Sequence, residues 1–352
     1  GMEDVSWYLP QVGGIVAELA EDVNLPHARR IGETTEVPMI ALPGEAVSID
    51  ELLTLNDAVL EPVYPTKAGT TETVAPIAWD KRSVAVCKHK AAHPKAVIPV
   101  FPGTNCEYDT ARACVRAGID PEIVVVRNLT TDFLTQSAQA LEQAIRAAQM
   151  VVIPGGFSGG DEPDASFLRS PALADAIMDL LKNRDGLMLG ICNGFQALVK
   201  LGLVPYGEIR DMDETCPTLT YNLIGRHQSS YVTTRVASVN SPWMLKSQVG
   251  DLHTIPISHG EGRFTAPQAE LERLIANGQI ATQYVDLDGH PTMDIDGNPN
   301  GSVWSVEGIT SPDGRVFGKM GHAERVGPCL YRNIPGNYDL GLFDAAKDYF
   351  SL

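Results

Sequence analysis

Between Lys95 and Gly202 short apolar runs alternate with amphipathic stretches, and this alternation limits the fold more than any other feature of the 352-residue chain. Residues 96–101 form a continuous apolar run, as expected of a strand buried on both faces. A Gly-Thr-Asn turn follows, then a helical stretch to Ala117 with Gly118 as its stop. Further strands are predicted over 122–126, 150–153 and 186–191, and helices over 136–149, 171–182 and 194–201. Strands alternating with helices at this spacing imply the α/β class, with a doubly wound, mostly parallel sheet. In such sheets the site lies at the carboxyl ends of the strands. Beyond residue 212 shorter strands are predicted over 219–224, 231–236, 253–258, 302–309 and 316–320, then a last helix over 343–350.

Residues 1–92 read differently. Ile15, Val16, Leu19 and Val23 have helical spacing, and a second short helix is predicted over 48–55 with Ser48 as its cap. Proline and glycine punctuate the rest. We therefore expect a small N-terminal α+β remnant and linker over 1–92 and the main domain over 93–352. Gly1 ahead of Met2 leads us to expect a native start elsewhere, or a piece cut from a longer chain. The acidic segment 286–301 lacks the closing Glu of an EF-hand, and we expect a polar hairpin there.

Lys and Arg number 27 against 44 Asp and Glu, a net charge of −17. Such a chain repels phosphate backbones and anionic lipids, so neither nucleic acid nor membrane is an expected partner. The six cysteines form no CxxC pair, which points to free thiols in a reducing, cytoplasmic setting. No His/Cys cluster has zinc spacing, and no metal is expected in this chain.

The strongest local signal is Leu189-Gly190-Ile191-Cys192-Asn193-Gly194-Phe195. A buried strand runs straight into a helix, with a glycine two residues before and two after the cysteine. This is the pattern of a nucleophile elbow with Cys in place of Ser. The helix N-terminus aims its free N–H groups and positive dipole end at the sulfur, which favours the thiolate. The Asn193 amide can face a developing oxyanion. A second glycine-rich turn, Pro154-Gly155-Gly156-Phe157-Ser158-Gly159-Gly160-Asp161, also follows a strand and can aim amides at a ligand. It lacks the Gly-Lys-Ser/Thr ending of a Walker A loop. A thiol nucleophile needs a base, usually a histidine held by a third group. Two of the eight histidines stand in His-x-Glu pairs, His259-Gly260-Glu261 and His322-Ala323-Glu324. On an extended segment residues i and i+2 share a face, so either carboxylate can orient its imidazole. Spacing alone does not choose between the pairs, but His322 stands at the end of a predicted strand, where a site residue belongs.

The cysteine elbow, the Gly-Gly-Phe-Ser loop and the late His-x-Glu together resemble the class I, triad glutamine amidotransferases. Phe101-Pro102-Gly103-Thr104-Asn105-Cys106-Glu107, the loop 155–161, Gly190 to Gln196 and His259-Gly260-Glu261-Gly262-Arg263 are similar to the glutaminase components of phosphoribosylformylglycinamidine synthases. The resemblance covers residues 93–352. It implies that Cys192 attacks the side-chain amide of L-glutamine, that His322 is the base and that Glu324 orients it. It also implies oxyanion donors at Gly156, Phe157 and Asn193, and substrate contacts from Gly155, Gln196, His259 and Glu261. The ammonia released would convert formylglycinamide ribonucleotide to formylglycinamidine ribonucleotide in de novo purine synthesis. The partner implied is a synthetase domain, which carries the ATP and Mg; this chain itself is expected to hold no cofactor. Residues 13–65 resemble the end of that domain in the long, single-chain form. The C-terminal motif Met320-Gly321-His322-Ala323-Glu324-Arg325 departs from the family's frequent Met-Pro-His-Pro-Glu-Arg by lacking both prolines. Two other readings are a Cys-His hydrolase of the PfpI-like intracellular protease kind, which shares the elbow, and a docking domain with an idle triad.

Overall fold

The computed structural model describes residues 12–351 except 22, 43, 69–71 and 159–160. Contacts divide the chain into two units that meet at Thr66 and Lys67.

The first unit holds an antiparallel hairpin, β1 (Met39–Leu42) and β2 (Glu45–Ser48), and a helix, α1 (Ile49–Ala58). Ser48 is the α1 N-cap, as the sequence predicts, although its side chain makes no capping hydrogen bond. The helix expected around Ile15 to Val23 does not form, and Ile15 and Val16 stand 91% and 80% exposed. Its apolar face has nothing to bury against, and a short helix without tertiary packing is marginal in water.

The second unit is built around a nine-stranded sheet. The elements that build its first half run β3 (Lys95–Val100), α2 (Glu107–Ala117), β4 (Asp120–Val125), α3 (Thr131–Ala147), β5 (Met150–Ile153), α4 (Asp161–Leu168), α5 (Pro171–Lys182), β6 (Leu187–Ile191) and α6 (Asn193–Leu201). A helical turn, α7 (Leu203–Tyr206), and β7 (Thr218–Tyr221) follow. The second half brings β8 (Gln228–Val236), β9 (Leu252–His259), β10 (Glu261–Thr265), α8 (Gln268–Ala276), β11 (Ile280–Val285), β12 (Val306–Thr310), β13 (Val316–Lys319) and α9 (Leu342–Ser351). Strand order is β4-β3-β5-β6-β13-β12-β11-β8-β9, and β7 pairs with β10 in a separate ribbon. The strands from β4 to β13 are mutually parallel; those from β13 to β9 pair antiparallel.

The parallel half is an α/β layer because its strands are apolar on both faces: β5 and β6 are buried at every position. Helices α2, α3 and α5 cover the sheet with amphipathic faces, and Leu141, Ile145, Leu173 and Ile177 are fully buried. Full burial of one such side chain contributes about 1.5–3 kcal/mol. Residues 67–92, read from the sequence as remnant and linker, pack on this unit. The Trp79 amide donates to Ala237 O, Arg82 donates to Met244 O and Ser247 O, and the Ile77 amide donates to Gln283 Oε1. The segment 286–301 is a turn-rich excursion whose Asp286 Oδ1 accepts the amides of Asp288 and His290.

This topology sets β6 and β13 side by side and parallel, with Met188 to Ile191 in register with Val316 to Lys319. Whatever follows either strand therefore emerges at one edge of the sheet.

Candidate active site

Cys192 follows β6 and opens α6 with φ 53° and ψ −108°. A non-glycine residue held there stores about 1–3 kcal/mol, and such strain gathers at functional sites. Neighbouring glycines make the turn possible by close approach. A Cβ on Gly190 would lie 2.5 Å from Gly194 O, and one on Gly194 would lie 2.1 Å from Ile153 O. The Cys192 amide donates to Lys319 O at 2.9 Å, which ties the nucleophile's backbone to the end of β13. Its side chain is 5% exposed, with Sγ 4.0 Å from Ser258 O.

His322 and Glu324 lie just beyond β13 and are both buried. His322 Nδ1 sits 2.6 Å from Glu324 Oε1. Burial alone would lower the His322 pKa. The Glu324 carboxylate, and hydrogen bonds to the Cys106 and Cys192 thiols, instead hold it well above its ordinary value. Burial likewise works to raise Glu324, yet the His322 charge and hydrogen bond bring it below the usual carboxylate range. Each group stabilises the charged form of the other, so imidazolium and carboxylate are the favoured states. Gly155 is the gap through which the site packs: a Cβ there would lie 2.8 Å from His322 Cε1, 3.2 Å from Cys106 Sγ and 3.4 Å from Cys192 Cβ.

The glycine-rich turn after β5 is pinned from two sides. The amide of Phe157 donates to Gly103 O and that of Asn105 to Gly155 O, forming the bridge between Thr104 and Gly156. The Phe157 amide, expected as an oxyanion donor, is thus spent on Gly103, and its ring is 62% exposed beside His227. The bridge does not use the Gly156 amide. Ser158 Oγ lies 2.6 Å from both Asp164 Oδ2 and Asn193 Oδ1, which links the turn to α6. Gly159 and Gly160 fall outside the described residues.

Gln196 is buried on α6; its Nε2 donates to Glu261 O at 2.8 Å and its Oε1 accepts from Asn193 Nδ2. His259 ends β9, 3% exposed, with Nδ1 3.2 Å from Asn222 Oδ1 and no hydrogen bond at Nε2. Burial, with the nearby charges of His322 and His227, pushes its pKa down to about 3. A neutral His259 beside a charged His322 separates the two His-x-Glu pairs that spacing could not. Only His322 carries its carboxylate on its ring.

Residues 93–350 match the family described as the CobB/CobQ-like glutamine amidotransferase domain. The chain belongs to this family. It is 36% identical over 250 residues to the phosphoribosylformylglycinamidine synthase subunit PurQ of Aquifex aeolicus, covering 70% of this chain and 95% of that one. The corresponding Treponema denticola subunit is 37% identical over 247 residues, covering 66% and 87%. Among solved structures, a chain of PurLQS from Thermotoga maritima is similar at 26% identity and a TM-score of 0.53, covering 74% of this chain and all of that one.

Two residues of this amidotransferase site escaped sequence reasoning. Cys106 has its sulfur 3.1 Å from Arg325 Nη2 and 4.0 Å from His322 Nδ1. Arg325 Nε also lies 3.8 Å from Asp109 Oδ2 and 3.9 Å from Glu324 Oε1. The available signal was positional: Cys106 follows a turn at the carboxyl end of β3, the same sheet edge as Cys192.

Proposed function

We propose that this chain is the glutaminase of a phosphoribosylformylglycinamidine synthase. Cys192 Sγ attacks the side-chain carbonyl carbon of L-glutamine, and the carbonyl electron pair moves onto oxygen. The Gly156 and Asn193 amides stabilise that oxyanion; such a donor is worth about 3–4 kcal/mol. As the intermediate collapses, the C–N bond breaks and the His322 imidazolium gives its proton to the departing ammonia. A glutamyl thioester remains on Cys192. His322, now neutral, takes a proton from water, hydroxide adds to the thioester, and the C–S bond breaks to release glutamate, its carboxyl proton passing to solvent, with His322 again the imidazolium. Gln196, His259 and Glu261 shape the glutamine pocket. The observation that carries this reading is the 2.6 Å His322–Glu324 contact beside a strained cysteine elbow.

In this reading the ammonia passes to a synthetase part, which holds ATP and Mg and amidates formylglycinamide ribonucleotide. Residues 13–65 are the tail of that part in a long, single-chain form, and the whole acts in the cytoplasm. The test supplies the chain with that synthetase part, ATP, Mg and formylglycinamide ribonucleotide. Cys192→Ala should lose product formation driven by glutamine and keep that driven by added ammonia. Equal use of glutamine by both proteins would refute the reading.

A further inference from the structure

One buried ion pair lies between the nucleophile and the base without belonging to either. Lys319 and Glu307 are both fully buried, with Lys319 Nζ 3.0 Å from Glu307 Oε1. The same Oε1 accepts the Gly321 amide at 2.7 Å, and Lys319 Nζ donates to Gly321 O at 3.0 Å. Both backbone polar groups of Gly321, the residue before His322, are therefore held by the pair, while the His322 amide donates to Pro256 O. On the other side Lys319 O accepts the Cys192 amide at 2.9 Å. Thr282 Oγ1 donates to Glu307 Oε2 and fixes the carboxylate from the far strand. A proline at 321 has no N–H to give, so the glycine of this chain's motif makes the contact possible.

We infer that Glu307 is a positioning residue that holds His322 against Cys192 by accepting the Gly321 amide, with Lys319 as its buried counter-charge. This rests on the assignment of Cys192 and His322 as nucleophile and base. A buried pair is weak evidence for stability, since apolar replacements of similar volume are often neutral or stabilising. Its place here, joined at one lysine to both catalytic backbones, gives it another use. Displacing a reacting group by about 1 Å can cost about a hundredfold in rate. The groups facing His322 are Glu324, Cys106, Cys192, His259 and Arg325, and none of them bonds Gly321. The pair acts on the backbone alone.

The test compares two charge-free double variants of the full chain, Lys319→Met/Glu307→Gln and Lys319→Met/Glu307→Leu. Neither leaves a lone buried charge; they differ in whether an oxygen remains for the Gly321 amide. The readout is the alkylation rate of Cys192 by iodoacetamide across pH, located by peptide mass, with Tm measured alongside. The Gln variant should stay within about threefold of wild type, while the Leu variant reacts about a hundredfold slower near neutral pH at similar Tm. Thr282→Val, which keeps both charges, should slow alkylation severalfold and serves if the Leu variant does not fold. Wild-type rates in the Leu variant, or in Thr282→Val, would overturn the inference, as would a Gln variant as slow as the Leu one. Glutamine hydrolysis is followed separately. A wild type that is alkylated but leaves glutamine intact counts against the glutaminase reading, while the alkylation series still decides the positioning role.

Discussion

Removing the Glu324 carboxylate leaves a buried imidazole with no counter-charge, and its proton then goes to solvent rather than staying on the ring. Glu324→Gln should therefore lower glutamine hydrolysis by about a hundredfold to ten-thousandfold with the fold intact. Steady-state ammonia release together with a thermal melt checks this. His259 behaves in the opposite sense. Its folded pKa is about 3 against an ordinary 6.5, so between these values the unfolded chain binds the extra proton. Its contribution to stability is complete above pH 6.5 and is lost progressively as pH falls toward 3. Melts of His259→Asn against wild type should show a shallower fall in Tm over that acid range. An equal fall in both would mean that His259 is not held neutral. The elbow and the two His-x-Glu pairs were legible from residue types and spacing, because each leaves a local pattern; what distinguishes His322 from His259, the Glu324 contact, was not. The Arg325–Cys106 contact and the Glu307–Lys319 pair were not. They join residues more than two hundred positions apart in one case, and in the other depend on strand pairing that no local pattern states.

The elbow works as one element, and its weak point is space. Gly194→Ala would press a methyl group within 2.1 Å of Ile153 O, which is backbone and cannot step aside. Overpacking of this kind costs about 1–3 kcal/mol. The variant should lose Tm and glutaminase activity together, whereas Gly327→Ala, with open space at its Cβ, should lose neither. The parallel strands were readable because continuous apolar runs between helices have few other meanings. The antiparallel half was read less completely. β11 carries Thr282 and Gln283 at fully buried positions, so its polar residues hid a central strand; Gln283 is satisfied there by Ile77 N and Trp304 O. The expected strand over 302–309 begins only at Val306, because Trp304 and Ser305 take positive φ.

At the scale of the whole molecule, residues 67–92 behave as part of the catalytic unit. Besides the bonds to Ala237, Met244 and Gln283, Arg235 donates to Ile77 O and the Ala91 amide to Phe350 O. A chain lacking residues 1–92 should melt several degrees below one lacking residues 1–66; calorimetry of the two truncations checks this. No helix among the described residues is long and apolar enough to cross a membrane. Chemistry, partner and positioning all depend on one covalent event at Cys192. Rapid acid quench of the chain turning over L-glutamine in the presence of its synthetase part, followed by peptide mass analysis, reads that event directly. A glutamyl adduct on the Cys192 peptide, absent from Cys192→Ala and accumulating in His322→Ala only slowly, is the expected result. Glutamine turnover with no adduct at Cys192, or with the adduct on another cysteine, would contradict it.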